Sequence, residues 1–179
     1  MFEQLRHNIG LSYTRFRFRG KSEEALRWTG ALSGARRALL LMPESPQDSA
    51  ELAKVMEYCS ERFAPKNLVL VGHVDRATQL RLDRGVEIIA VAPTDINTWF
   101  LPRSVLTRKV KKSTFDVAID LNLDVALPSA YLCRASGARI RVGFKKRFAD
   151  TFYNFQVQPH HATNFGAACN GLIECLQMF

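Results

Sequence analysis

An α/β fold, with one mostly parallel sheet flanked by helices, follows from three features of the sequence. From residue 37 onward, short β-rich runs alternate with helical patterns, the mark of parallel βαβ construction. The run "FDVAIDLNLD" at 115–124 reads as a buried strand that delivers polar side chains to the edge of a sheet. The chain has 179 residues, 47% of them hydrophobic, which is enough for one sizeable core.

Residues 1–36 stand apart as a basic N-terminal arm or helix. With Arg37 included, this stretch carries eight Lys or Arg against three Glu, so five of the eight net positive charges lie there. Residues 37–179 form the expected domain. "RALLLMP" at 37–43 is its first strand, and the helix after it begins at Ser45 and Pro46. Leu52, Val55, Met56, Cys59 and Phe63 then recur at helical spacing. "NLVLVGH" at 67–73 is a second strand, followed by a short polar helix at 76–83 and a third strand, "VEIIAVA", at 86–92. "TDINTWFLP" at 94–102 reads as a loop or single turn between Pro93 and Pro102, and "FDVAIDL" at 115–121 is the fourth strand. A helix from Val125 to Ala135 ends at Gly137, and "ARIRVGF" at 138–144 and "YNFQVQP" supply two more strands. A closing helix over 161–177 aligns Phe165, Ala168, Cys169, Leu172, Ile173 and Leu176 on one face. The alternation predicts a single Rossmann-like domain preceded by the basic arm.

The strand "FDVAIDL", the small-residue helix "SAYLCRASGA", then "RIRVGF" and the aromatic "FYNFQV" occur within residues 114–158. In order and spacing they resemble the amino-terminal, acceptor-binding domain of the heptosyltransferase-like glycosyltransferases, family nine of that class. The stretch from "RALLLMPESPQDSAELAKVMEYCSERF" through "NLVLVG" fits the same plan more loosely, so the resemblance spans residues 37–158. The chain is also similar to short, single-domain bacterial proteins that keep only this half. The resemblance implies a Rossmann-like fold. In full members, a second domain binds a nucleotide-sugar and reaction occurs in the cleft between the two. They carry a Gly-Asp pair after the first strand, its carboxylate serving as general base. Here that stretch reads "MPESPQDS", without the glycine, which leaves Glu44 and Asp48 as the catalytic candidates.

The residues themselves offer further candidates. Asp116 and Asp120, four apart on a strand, share one face, which would suit paired-carboxylate chemistry. The scaffolding alternative has Asp116 near solvent and Asp120 bonded to backbone amides of the loop after it, with Asn122 and Asp124 as loop and helix-cap residues. The sequence favours scaffolding. In "YTRFRFRGK" at 13–21, Arg15, Phe16, Arg17, Phe18, Arg19 and Lys21 would, if extended, put cations on one face and rings on the other. Such a surface suits an anionic membrane, a partner groove or a nucleic-acid backbone; the alternative is an arm whose rings simply pack on the domain. Arg103 to Lys112 and "KKRF" at 145–148 add further basic runs.

Other classes lack their signatures. There is no Gly-rich phosphate loop, so no cofactor is expected. His73 is a lone loop residue, and neither the adjacent His160 and His161 nor the scattered Cys59, Cys133, Cys169 and Cys175 have metal-ligand spacing, so no metal is expected. The cysteines read as reduced core residues. Charge of +8 and a pI near 9.6 favour anionic partners but carry no nucleic-acid motif. No secretory signal or membrane-length apolar stretch is visible, which predicts a soluble, cytoplasmic chain with peripheral membrane contact left open. The sequence thus points to a non-catalytic Rossmann-like binding or accessory protein that contacts a protein partner or an anionic membrane-linked surface. The second reading is the acceptor-binding subunit of a split glycosyltransferase whose donor half is another chain.

Overall fold

In a computed structural model of the chain, the described residues are 2–20, 32–44, 49–73, 84–158 and 164–178. Lys21, Ser45, Pro46, Asp48, the helix expected at 76–83, His160 and His161 lie outside them.

Six parallel strands make one sheet: β1 (Ala38–Leu41), β2 (Leu68–His73), β3 (Glu87–Val91), β4 (Val117–Asp120), β5 (Ile140–Phe144) and β6 (Phe155–Val157). Their order across the sheet is β3-β2-β1-β4-β5-β6, with Leu40 aligned between Leu70 on β2 and Ile119 on β4. This is the doubly wound arrangement expected for a Rossmann-like fold. Parallel strands require crossovers, and these place helices on both faces. On one face α2 (Ser49–Phe63) and α5 (Phe165–Gln177) cover Leu40, Leu70, Val117, Ile119 and Val142. On the other, α1 (Phe2–Phe18), α3 (Ser104–Lys111) and α4 (Leu127–Ala135) cover Leu39, Leu41, Val69, Val71 and Ala118. Each fully buried leucine of β1 contributes about 2 kcal/mol.

Two elements differ from the sequence reading. The stretch 94–102 does read as a turn and loop, but α3 follows it, held on the core by only Leu106 and Val110. And α1 is helical through Phe18, so Phe16 and Phe18 point about 200° apart instead of sharing a face. Its inner face, Gly10, Leu11, Thr14 and Phe18, is buried. At Gly10 the backbones approach closely: a Cβ there would stand 2.0 Å from the Trp99 carbonyl oxygen. α1 therefore docks only because residue 10 has no side chain.

Candidate functional site

In a doubly wound sheet, ligands bind outside the carboxyl ends of the strands where the winding reverses, here between β1 and β4. β1 delivers Met42, Pro43 and Glu44 to this point, and β4 delivers Asp120 and Asn122.

Asp120, the last residue of β4, is fully buried. Its Oδ2 accepts a 2.6 Å hydrogen bond from the Tyr153 hydroxyl. Its Oδ1 accepts from Asn122 Nδ2 at 2.7 Å, the Asn122 backbone amide at 3.0 Å and the Ser129 hydroxyl at 3.1 Å. Four donors nearly exhaust what a carboxylate can accept. Asn122 then ties the two loops together: its Oδ1 accepts from the Glu44 amide at 2.7 Å and its Nδ2 lies 3.2 Å from the Met42 carbonyl oxygen. Lys146, from the loop after β5, donates to the Asn122 carbonyl and, at 3.0 Å, to the Asp124 carbonyl, with its ammonium 5.1 Å from the centre of the Tyr153 ring.

Close packing sets this geometry. The Tyr153 ring lies over Gly143 of β5, where a Cβ would come within 2.8 Å of three ring atoms, so the glycine admits the ring that reaches Asp120. Burial pushes the Tyr153 phenol well above its ordinary pKa, and the Asp120 charge adds to the shift. The buried Cys133 thiol is raised by the same two causes in the same order. Burial lowers Lys146, partly offset by Asp120 and the neighbouring acids.

Among the described residues, Met42, Glu44, Gly72, His73, Pro128 and Ser129 line a recess of about 30 Å³. That holds roughly one water molecule, whereas small-molecule sites run to about 300 Å³ or more.

The sequence candidates among the described residues each find a definite place. Asp116 is exposed at the opposite end of β4, where its Oδ2 accepts from the backbone amides of Arg36 and Arg37 at 2.8 and 2.9 Å. Asp116 and Asp120 share a strand face but sit about 13 Å apart, too far to act as a pair. Asp124 does not cap α4. The capping position is Ala126, and Asp124 offers its carbonyl to Lys146 and to the Ala126 amide. Glu44 is exposed at the mouth of the recess. Tyr153, Lys146 and Ser129 escaped the sequence reading because they lie 33, 26 and 9 residues from Asp120, at no motif spacing. Among the described residues, no three His, Cys, Asp or Glu side chains come together as a metal site, and the cysteines are free, with Cys59, Cys133 and Cys169 buried.

Arg15 of α1 and Arg19 just after it border a second, open feature. Phe18 is buried with its ring 5.3 Å from that of Tyr131 on α4. Tyr131, followed by Tyr13, raises the Arg17 guanidinium further above its usual value. Arg15 and Arg147 both stand 4.6 Å from the centre of the Phe148 ring. Between α1 and the turn at 149–151 runs a groove of about 770 Å³, lined by Ser12, Arg15, Arg19, Arg134, Asp150 and Thr151 among others.

No family model and no curated protein matches this chain. Solved structures do. A glycosyl transferase family 9 protein from Veillonella parvula DSM 2008 superposes with a TM-score of 0.59 at 14% identity, over 79% of this chain and 40% of that one. The E. coli heptosyltransferase WaaC, solved with ADP, gives 0.53 and 14% over 77% of this chain and 46% of its own. The Rossmann-like fold is therefore shared with these glycosyltransferases, and the chain spans less than half the length of either.

Proposed function

We propose that this chain is a non-catalytic Rossmann-like binding or accessory protein, built like part of a glycosyltransferase, that contacts a protein partner or an anionic membrane-linked surface. One observation carries the reading: among the described residues, the Asp120–Asn122–Ser129–Tyr153 network occupies the reversal point of the sheet beside a recess of about 30 Å³. A general base must reach its proton, and Asp120 is sealed inside with its oxygens engaged. The residues that face outward are instead cationic and aromatic: Arg15, Phe16, Arg17 and Arg19 on and after the last turns of α1. Affinity purification at low salt, followed by identification of the bound protein, lipid or nucleic acid, tests the reading. It is lost if the purified chain alone transfers sugar from a nucleotide-sugar.

A second reading, the acceptor-binding subunit of a split glycosyltransferase, has one observation in its favour. Glu44 stands at the mouth of the reversal point with its backbone anchored by Asn122. This reading requires a separate donor-binding chain, and Glu44→Gln with Asp48→Asn must abolish transfer by the reconstituted pair. Unchanged activity excludes both carboxylates as the base.

A further inference from the structure

We propose that α1 is an interfacial membrane helix, its outward apolar stripe lying in the surface of an anionic phospholipid bilayer. The proposal deepens the binding reading above and rests on it only in taking the partner to be a surface.

Phe2, Leu5, Ile9, Tyr13 and Phe16 are 80, 56, 43, 49 and 77% exposed. At about 100° per residue, their spacing of three, four, four and three confines them to a sector about 80° wide along some 20 Å of helix. The sector is diametrically opposite the face that Gly10, Leu11, Thr14 and Phe18 bury against the body. α1 thus carries two apolar faces, one docked and one presented to solvent. Isolated exposed apolar residues are ordinary, but a continuous row of five is a contact surface.

Charge identifies the occupant. Arg6 and Arg17 flank one side of the stripe and Arg15 the other, with Arg19 just past the helix end; among these residues the only acid is Glu3. A second copy of the same helix would set arginines against arginines across the seam, with no acids to pair them. An anionic headgroup layer neutralises both flanks at once. Arg134 and Arg147 continue the positive rim around the adjoining grooves. At 17 residues, with arginines on both flanks, α1 lies on a bilayer rather than crossing it; no described helix is long and apolar enough to cross one.

The experiment is co-sedimentation of the full chain with vesicles of phosphatidylcholine alone and of phosphatidylcholine containing phosphatidylserine. The chain is expected to partition onto the anionic vesicles only and to be released by salt. Ile9→Asp with Phe16→Asp, both at exposed positions, should weaken partitioning at least about tenfold with an unchanged circular dichroism spectrum. Arg6→Gln with Arg17→Gln should weaken it about tenfold. Absence of anionic-vesicle binding, or equal binding by the Asp variant, overturns the proposal. If vesicles fail while a protein partner is captured through the same stripe, this proposal falls and the binding reading stands. Sugar transfer by a vesicle-bound chain would sink the non-catalytic reading and leave this one intact.

Discussion

Replacing Asn122 by Ala removes the side chain that joins the loops after β1 and β4. Four contacts are lost: to Asp120 Oδ1 at 2.7 Å, to the Glu44 amide at 2.7 Å, to Ser129 Oγ at 3.0 Å and to the Met42 carbonyl at 3.2 Å, the last two and Asp120 sharing the two Nδ2 hydrogens. A hydrogen bond to a charged group is worth about 1.5–3 kcal/mol and a neutral one about 1, so with three bonds held at a time, one of them to a carboxylate, the loss sums to about 3.5–5 kcal/mol. For a chain of this length, each kcal/mol moves the midpoint by about 2–4 °C, giving a Tm lower by about 10 °C. Urea unfolding followed by circular dichroism should show a lower midpoint at an unchanged slope. Polar residues held for catalysis commonly cost stability, so their removal is neutral or stabilising. A variant within about 1 kcal/mol of the parent, or more stable than it, would therefore return Asp120 and Asn122 to the list of functional residues.

Three other outcomes are expected. Gly143→Ala forces the Tyr153 ring, 2.8 Å from the new Cβ, away from Asp120 and should cost about 1–3 kcal/mol in urea unfolding, while Gly137→Ala, with nothing within 4 Å, answers only to its positive φ of 77°. Gly10→Ala sets a methyl 2.0 Å from the Trp99 carbonyl, so α1 should undock and its arginines should be cut by trypsin many times faster while the body stays folded; an unchanged cleavage rate contradicts the docking. Burial pushes the Cys59 and Cys169 thiols up to about 12, so above their unfolded value of about 8.5 the folded state holds more protons, and stability falls as pH rises. These two thiols account for a loss of about 4 kcal/mol by pH 10, the buried Cys133 thiol, raised likewise, adds to it, Tyr153 adds at higher pH, and Lys146, lowered by burial, works in the opposite sense. Urea midpoints measured from pH 7 to 10 should show this decline, and Cys59→Ala with Cys169→Ala should make it shallower, leaving the part that Cys133 contributes.

The strands were legible in the sequence because a doubly covered sheet needs apolar side chains in both directions, as "ALLL" and "LVLV" supply. The amphipathic α2 was equally plain, with Leu52, Val55, Met56, Cys59 and Phe63 all buried. α3 was not, because two buried residues in eight among five flanking cations leave almost no period to detect. The stretch "RFRFR" alternates with period two, yet it ends a helix whose periodicity appears only when Phe2, Leu5 and Ile9 are included; the docked face decided the conformation. At the reversal point the sequence placed Asp120 correctly, bonded to a backbone amide of the following loop. Tyr153 and Lys146 were invisible, since their approach depends on a strand pairing and a ring stacked on Gly143, neither of which sequence spacing encodes.

The closure of the reversal point is tested most directly by titrating the isotopically labelled chain with nucleotide-sugars while following the amide signals of Met42, Gly72, Asn122 and Ser129. These signals are expected to stay in place at every concentration, with no nucleotide released. Saturable shifts centred on these four residues, accompanied by release of nucleoside diphosphate, would mean that the network opens onto a working donor site.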